Sequence, residues 1–213
     1  MKLATKKRIL ITAGPTWVAI DQARVISNIA SGETGFILAK EFKKLGVFVT
    51  LLLGPGYFFE SVSGIKIIHF KYFSELERLL EKELKKKGLA AVVHAAAVSD
   101  FEPQKTSRHK VSSQRNIWKI NLVPTRKLIN NLKVNRADLF TVGFKFQPDE
   151  DNACLIAKGK ELLKQANLDL VVANSNRNKT YRAFILDGKN TYGPFLSKTK
   201  MAVYLSRLVR KRL

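Results

Sequence analysis

The sequence predicts an α/β fold: a Rossmann-like, doubly wound and mostly parallel sheet with a flap and an added antiparallel hairpin. Three observations lead to this prediction. Short apolar runs alternate with helical patterns along the 213 residues, which is typical of parallel strands joined by helices. Residues 90–97 are apolar nearly throughout, as expected for a strand buried on both faces. The polar stretch 99–116 is too long for a simple connection, and we interpret it as the flap of one domain covering residues 1–213.

The first half of the chain is predicted to hold four strands and two helices. Its short apolar runs, each the length of a strand, are residues 9–12, 47–53, 65–70 and 90–97. A helix is predicted at 34–45, where large apolar side chains recur on one face. Ser74 with Glu77 has the spacing of a capping box, so the second helix is expected to begin there.

The second half continues the alternation and then changes character. Apolar residues alternate with polar ones over 118–123, which predicts a half-buried strand, and buried strands are expected at 140–146 and 168–173. Helical patterns cover 125–132, 152–166 and the stretch that begins at 197 or 199. Two further runs, 181–186 and 191–195, flank Asp187-Gly188, and this arrangement predicts the antiparallel hairpin.

The charge of the chain points to anionic ligands. Thirty-eight Lys and Arg stand against 17 Asp and Glu, a net charge of +21, so nucleic acid, an acidic membrane surface and phosphorylated small molecules are all candidates. The dense runs 85–87 and 210–212 close helical patterns, and we interpret them as solvated helix ends. A single cysteine, Cys154, excludes an internal disulfide and fits a cytoplasmic protein. No apolar run is long enough to cross a membrane.

Ligands of an open parallel sheet bind beyond the carboxyl ends of its strands. Small and polar residues follow the predicted strands there: Gly14, Ser99, Asp100, Phe144, Lys145 and Asn174. Ser31 and Gly32 begin the first helix, where free backbone N–H groups could cradle a phosphate, although an ordinary N-cap with a glycine turn explains them equally well. Neither the dinucleotide fingerprint nor a Walker loop is present.

An ordered set of motifs resembles phosphopantothenoylcysteine synthetase. The set comprises residues 11–16 (ITAGPT), 20–21, 25–28 (VISN), the SGxxG of 31–35, 95–101 (AAAVSDF), 109–111, 142–144 and 168–174 (LDLVVAN). The resemblance implies a ligase of coenzyme A biosynthesis. In that family the carboxylate of 4′-phosphopantothenate attacks a nucleoside triphosphate, usually CTP in bacteria, and the amine of cysteine then displaces the nucleotide. Mg²⁺ accompanies the triphosphate.

The resemblance also implies roles for individual residues. Asn28 matches the asparagine that contacts the acyl-phosphate, and Lys110 matches the flap lysine that closes over the intermediate. The nucleotide would be bound by Gly14, Ser31, Gly32, Ala96, Ala97, Asp100, Phe144, Lys160, Lys164 and Asn174. No metal-ligating side chains are assigned. Core packing is the alternative for Phe144, a turn for Asn174, and a solvated helix face for Lys160 and Lys164. His69 and His94 lie in apolar strands and are interpreted as core residues.

Some positions depart from the family pattern. Pro15 stands where a second glycine is usual, Glu33 replaces a common Lys or Arg, and Gln147 replaces a frequent acidic residue, so CTP and ATP both stay open. Because only eight residues precede the first strand, we expect a separate decarboxylase and no flavin. Members of the family tend to dimerise through extra strands, so the resemblance implies a homodimer. The segment 118–123 and the hairpin that begins at residue 181 are the candidate interface strands.

Two other functions are compatible with parts of the sequence. An NAD(P)-dependent Rossmann oxidoreductase fits the strand–helix alternation, but lacks the glycine fingerprint and an acidic residue after the second strand. A basic nucleic-acid-binding module fits the +21 charge, yet the aromatic residues fall largely in apolar runs rather than among the basic ones. Nucleic acid is therefore not the expected partner.

Overall fold

The computed structural model describes residues 7–56, 61–134, 136–176 and 180–213. Within them the strands are β1 (Arg8–Ala13), β2 (Trp17–Ala19), β3 (Val25–Ser27), β4 (Phe48–Leu53), β5 (Ile65–His69), β6 (Leu89–His94), β7 (Phe101–Pro103), β8 (Leu122–Pro124), β9 (Phe140–Phe146), β10 (Leu170–Ser175), β11 (Arg182–Leu186) and β12 (Thr191–Phe195). The helices are α1 (Glu33–Lys44), α2 (Phe73–Leu84), α3 (Asn152–Gln165) and α4 (Lys198–Arg212), with a 3-10 helix at Leu128–Asn131.

Eight of the described strands form one sheet in the order β12-β11-β10-β9-β6-β1-β4-β5. The six strands from β10 to β5 are parallel, and β11 and β12 add an antiparallel hairpin at one end. The predicted α/β fold and its hairpin are confirmed. Since β1 lies between β6 and β4, the loops that follow these three strands meet at one edge of the sheet.

Helices cover both faces of this sheet, as a doubly wound fold requires. On one face α1 packs against α4, and Phe42 of α1 and Leu205 of α4 belong to one buried cluster with residues of β1, β4 and β10. On the other face α2 contributes Leu76 and Leu80 to a second cluster that includes Ala166 at the end of α3. The central strands are buried on both sides, which explains why their sequences are continuously apolar.

Three local predictions were wrong. The half-buried strand expected at 118–123 is limited to β8, because its partner β7 is only three residues long. The helix expected at 125–132 is a single 3-10 turn. At the start of α2, Glu75 rather than Glu77 reaches back, and its carboxylate accepts from the backbone N–H groups of Lys71 (2.7 Å) and Tyr72 (3.2 Å).

A small hairpin was not anticipated. Strands β2 and β3 pair antiparallel, from Trp17 opposite Ser27 to Ala19 opposite Val25. Each strand has three residues, so neither leaves a periodic pattern in the sequence. This hairpin stands above the carboxyl end of β1 and carries Asn28 immediately after it.

Candidate active site

The loop after β1 lies against the loop after β4 with no room for side chains between them. Gly14 has φ 79°, and a Cβ on it would come within 3.1 Å of the Gly54 backbone. A Cβ on Gly54 would lie 2.3 Å from the carbonyl oxygen of Pro15. Glycine at both positions therefore lets two backbones touch and leaves their peptide groups to form the floor of the site.

The N-terminus of α1 reaches the same floor. Gly32, with φ 80°, is the N-cap of α1, and a Cβ on it would lie 3.4 Å from the Gly14 backbone nitrogen. The hydroxyl of Ser31 accepts from the N–H of Glu33 at 3.3 Å. The structure thus brings Gly14, Ser31 and Gly32 together at a helix N-terminus, where backbone N–H groups and the helix dipole favour an anion.

The unusual acid at the start of α1 has a partner. The Glu33 carboxylate forms an ion pair with the ammonium group of Lys198 in the first turn of α4. Both side chains are about one third exposed. The sequence departure at position 33 therefore adds no isolated negative charge, because α4 supplies the matching cation beside the helix N-terminus.

The loops after β1 and β6 are joined by buried hydrogen bonds. The hydroxyl of Thr16 accepts from the Ser99 N–H (2.9 Å) and donates to the Ser99 hydroxyl (3.1 Å). The Ala97 N–H donates to the Gly14 carbonyl at 2.9 Å, and the Ala96 N–H donates to the hydroxyl of Thr12 at 3.2 Å. The N–H groups of Ala96 and Ala97 are therefore already used, so these residues can offer a ligand space rather than donors.

Asn28 bridges the hairpin to this loop. Its side-chain Nδ2 donates to the carbonyls of Ala97 (3.1 Å) and Val98 (3.0 Å), and the residue is exposed. Two backbone carbonyls thus fix the amide in orientation. Contact between Nδ2 and a ligand oxygen would require the amide to turn away from one of them.

The flap predicted at 99–116 is the segment 104–121 in the structure, because the pairing of β7 with β8 closes its two ends. It lies against the tip of the β2–β3 hairpin, where the Ser107 N–H donates to the Ile20 carbonyl (3.0 Å) and the Val111 N–H donates to Asp21 (3.0 Å). A cavity of about 290 Å³ is lined by flap residues, among them Trp118, and by Ile20 at the hairpin turn. Lys110 is exposed beside Val111.

Asn28 therefore lies at one end of the β2–β3 hairpin, and Lys110 lies on the flap beside its other end. Asn28 follows β3, and Lys110 is next to the residue held by Asp21 at the tip. Arg24, which contacts Val111, and Asn28 are four residues apart along an extended strand, so their Cα atoms are about 13 Å apart.

Asp100 lies at the rim of the site. Its carboxylate is exposed and pairs with the Lys127 ammonium, while its backbone carbonyl accepts from the Thr125 N–H at 2.9 Å.

Phe144 and Asn174 lie in adjacent strands: Phe144 pairs with Val172, two residues before Asn174 in β10. Phe144 is half-buried and packs against the core cluster that contains α1 and α4 residues, as does Val172. Because every second side chain of a strand points to the same face, Asn174 faces the α1–α4 layer as well.

Lys160 and Lys164 lie in the second half of α3. Helix α3 begins after the carboxyl end of β9 and runs back along the sheet, so its start is the end nearest the site. Lys164 is in its last turn, twelve residues or about 18 Å from its start. Lys158 lies closer to the start and pairs with Glu150, and it also donates to the Gln147 side chain at 3.3 Å.

The two strand histidines differ. His94 is buried, its Nδ1 lies 2.9 Å from the Thr12 hydroxyl, and burial lowers its pKa to about 4. It is a neutral core residue, as interpreted. His69 ends the edge strand β5 and is exposed, so its interpretation as a core residue was wrong.

Neither a cluster of metal-ligating side chains nor a membrane-spanning helix is present in the parts of the chain that the structure describes. In residues 7–56, 61–134, 136–176 and 180–213, no group of three or more His, Cys, Asp and Glu side chains could hold a metal ion. In these same ranges, no helix has the length and hydropathy needed to cross a membrane.

Comparison with known proteins gives consistent matches. Residues 4–211 match the family model described as DNA/pantothenate metabolism flavoprotein C-terminal domain. The chain is 34% identical over 215 residues (97% of this chain, 58% of the relative) to a cysteine/cysteine sulfinic acid decarboxylase of an unknown prokaryotic organism. It is 36% identical over 169 residues (79% of this chain, 41% of the relative) to the coenzyme A biosynthesis bifunctional protein CoaBC of Thermococcus kodakarensis. The chain thus spans about half the length of these relatives.

Solved structures share the fold. The DNA/pantothenate metabolism flavoprotein from Streptococcus pneumoniae superposes with a TM-score of 0.87 at 21% identity, covering 97% of this chain and all of that one (100%). A Cab2 mutant, H337A, in complex with phosphopantothenate-cysteine gives a TM-score of 0.76 at 18% identity, covering 97% of this chain and 87% of that one.

Proposed function

We propose that this chain, which belongs to the DNA/pantothenate metabolism flavoprotein C-terminal domain family, is a ligase that joins cysteine to 4′-phosphopantothenate. In the first step the substrate carboxylate attacks the α-phosphorus of a nucleoside triphosphate, and pyrophosphate leaves. In the second step the cysteine amine attacks the acyl carbon, the nucleoside monophosphate leaves, and the amine loses a proton. The observation that carries the proposal is the meeting of the α1 N-terminus, two glycine-lined loops and Asn28 at the carboxyl edge of the sheet.

The phosphates would lie at the start of α1. The backbone N–H groups of the first turn of α1 have no intrahelical partner and face the N-terminal end of the helix, although that of Glu33 donates to the Ser31 hydroxyl. Lys198 would add a positive charge once the triphosphate competes with Glu33 for it. Catalysis of this kind requires positioned donors more than a protein nucleophile, because the substrate carboxylate itself attacks.

Asn28 and Lys110 would act on the acyl-nucleotide. Turned toward the ligand, the Asn28 amide would donate to an oxygen of the acyl-phosphate without introducing a charge. Lys110, exposed on the flap, would close over the negative charge that develops as pyrophosphate leaves. Asp100, Ala96 and Ala97 would line the space between them.

The base would occupy the side of the site formed by β9 and β10. Phe144 and Asn174 face the α1–α4 layer there, and Asn174 could bind a base edge with its amide. Phe144 and Asn174 would accommodate a pyrimidine or a purine. We therefore propose CTP as the triphosphate, with ATP as the alternative. Lys158 replaces Lys160 and Lys164 as the α3 lysine proposed to approach the triphosphate.

Mg²⁺ would be a companion of the triphosphate rather than a resident of a protein cage. Mg²⁺ typically keeps several waters and uses one or two carboxylates together with substrate phosphates. Asp100 offers a single exposed carboxylate at the rim of the site, which fits that mode. The ion would neutralise phosphate charge, while the chain's own residues orient the nucleotide.

The assembly and the cellular setting stay predictions. We propose a homodimer that uses the extended segments near residues 118–123 and the β11–β12 hairpin, and a cytoplasmic location. Phe101 and Leu122, which are exposed on the paired strands β7 and β8, support the homodimer. Chromatography with light scattering would test it, with a mass of two chains expected.

The proposal is tested by supplying 4′-phosphopantothenate, cysteine, Mg²⁺ and either CTP or ATP. We expect pyrophosphate, the nucleoside monophosphate and the cysteine amide in equal amounts. Asn28→Ala and Lys110→Gln should fold normally and lose activity by about 100-fold or more, the range typical for one positioned donor. Lys119→Gln makes the same charge change in the same flap and should retain activity. Protection from heat by NADPH but not by a triphosphate would favour an oxidoreductase instead.

A further inference from the structure

Asp21 is a buried carboxylate with two distinct sets of partners. Its Oδ1 accepts from the backbone N–H groups of Ala23 and Arg24, both at 2.8 Å, which closes the turn between β2 and β3. Its Oδ2 accepts from the Arg24 guanidinium at 2.7 Å and from the Val111 N–H at 3.0 Å. One oxygen shapes the hairpin, and the other binds the flap.

Arg24 completes the attachment from the other side of the same flap residue. Its Nη1 donates to the Val111 carbonyl at 3.1 Å as well as to Asp21. Its guanidinium also lies 5.1 Å from the ring centroid of Trp118, a second flap residue. Both backbone polar groups of Val111 are therefore held by one ion pair on the hairpin.

The opposite end of the hairpin is also held by hydrogen bonds. Strand β3 ends at Ser27, and Asn28 is bonded to the carbonyls of Ala97 and Val98. The same short element thus contacts the β6 loop at one end and the flap at the other. The antiparallel pairing of β2 with β3, from Trp17 opposite Ser27 to Ala19 opposite Val25, keeps the Asn28 end and the Asp21 end of the hairpin at a fixed separation.

We propose that Asp21 is a positioning residue: with Arg24 it clamps Val111 and so sets where the adjacent Lys110 stands relative to Asn28. The clamp holds the middle of the flap at Val111, while the Lys110 side chain is exposed. Its catalytic consequence rests on the proposed function, whereas the clamp itself is a property of the folded chain. Other bonds between flap and hairpin, such as that from Ser107 N–H to Ile20 (3.0 Å), involve neutral groups and hold a different part of the flap.

Asp21→Asn separates the two roles of the carboxylate. The asparagine oxygen can keep the turn bonds to Ala23 and Arg24, while its amide nitrogen replaces Oδ2 and meets two donors, the Val111 N–H and the Arg24 guanidinium. The clamp should open with the hairpin intact. Amide hydrogen exchange of the flap, measured on the protein without substrates, should rise about tenfold over residues 104–116, as expected for loss of one charge-assisted bond.

Asp187→Asn is the matched control. Asp187 also accepts from the backbone N–H groups two and three residues on, Lys189 (3.0 Å) and Asn190 (2.7 Å), but it lies in the β11–β12 hairpin loop. This variant should leave flap exchange and turnover unchanged. In Asp21→Asn, kcat/KM for the triphosphate should fall about tenfold while KM for cysteine stays within about twofold, because Lys110 acts on the triphosphate.

Flap exchange in Asp21→Asn equal to that of the parent would overturn the clamp, as would equal exchange increases in Asp21→Asn and Asp187→Asn. If Asp21→Asn does not fold, Arg24→Gln is the test variant, since it keeps the bond from the Val111 N–H to Asp21 and removes the hydrogen bond to the Val111 carbonyl. Unchanged flap exchange in Arg24→Gln would also overturn the proposal.

A parent without ligase activity would refute the proposed function and leave the exchange result standing. An active parent and a fully active Asp21→Asn would refute only the positioning role.

Discussion

Thr16→Val tests how the loops that build the site are held together. Thr16 is fully buried, and its hydroxyl accepts from the Ser99 N–H (2.9 Å) and donates to the Ser99 hydroxyl (3.1 Å). Valine has nearly the same shape but no hydroxyl, so the buried Ser99 N–H would lose its partner. Leaving such a donor unpaired costs about 1–3 kcal/mol. The added methyl contact returns up to about 0.8 kcal/mol.

The net loss in free energy of unfolding should be about 1.5 kcal/mol. For a chain of this size that corresponds to a fall in Tm of about 3–6 °C. Urea unfolding followed by circular dichroism measures the loss in free energy. Ser99→Ala should cost less, about 1 kcal/mol, because the Ser99 N–H keeps its bond to the Thr16 hydroxyl. In the double variant the costs should not add, since both changes remove the same hydroxyl pair.

Thr191→Val provides the matched control. Thr191 is exposed at the start of β12, so the same chemical change should alter stability by no more than about 0.5 kcal/mol. If Thr16→Val is as stable as Thr191→Val, the hydrogen bonds between the β1 and β6 loops do not stabilise the site, and the reasoning fails.

Three further predictions concern the surroundings of the site. Burial lowers the pKa of His94 from 6.5 to about 4, so the unfolded chain takes up a proton between these values and the folded chain does not; stability should fall as pH drops through this window, and His94→Asn should flatten that slope in urea unfolding at pH 7 and pH 4.5. Gly35→Ala should cost about 1–3 kcal/mol in the same assay, because its Cβ would lie 2.3 Å from that of Ala13; a neutral result would mean that α1 can shift freely. Glu33→Gln should lower KM for the triphosphate about two- to fivefold, since it frees Lys198 beside the helix N-terminus; a raised KM in initial-rate measurements would contradict this.

The main elements of the fold were accessible from the sequence because each has its own period. Strand β9 and helix α3 begin where predicted, and β9 also ends there, since a buried strand and an amphipathic helix both repeat over many residues. The three-residue strands β2 and β3 are too short to repeat. They exist because the turn around Asp21 and contacts with the flap hold them, and such contacts are not visible in a linear pattern.

The candidate site was partly accessible for the same reason. Residues that follow strands, such as Gly14 and Ala97, come together because parallel strands end at one edge. The pairing of Glu33 with Lys198 joins residues 165 positions apart, which no local spacing reveals. Lys160 and Lys164 were assigned by resemblance to the family's triphosphate-contacting lysines, whereas position along α3 favours a lysine nearer its start.

The most direct test of the account is a single-turnover experiment with cysteine left out. With excess 4′-phosphopantothenate, triphosphate and Mg²⁺, the chain should release about one pyrophosphate per site and retain the nucleotide as an acyl-nucleotide until cysteine is added. Asn28→Ala should abolish or strongly reduce this burst. A burst of normal size in Asn28→Ala, or no pyrophosphate from the parent with either CTP or ATP, would contradict the account.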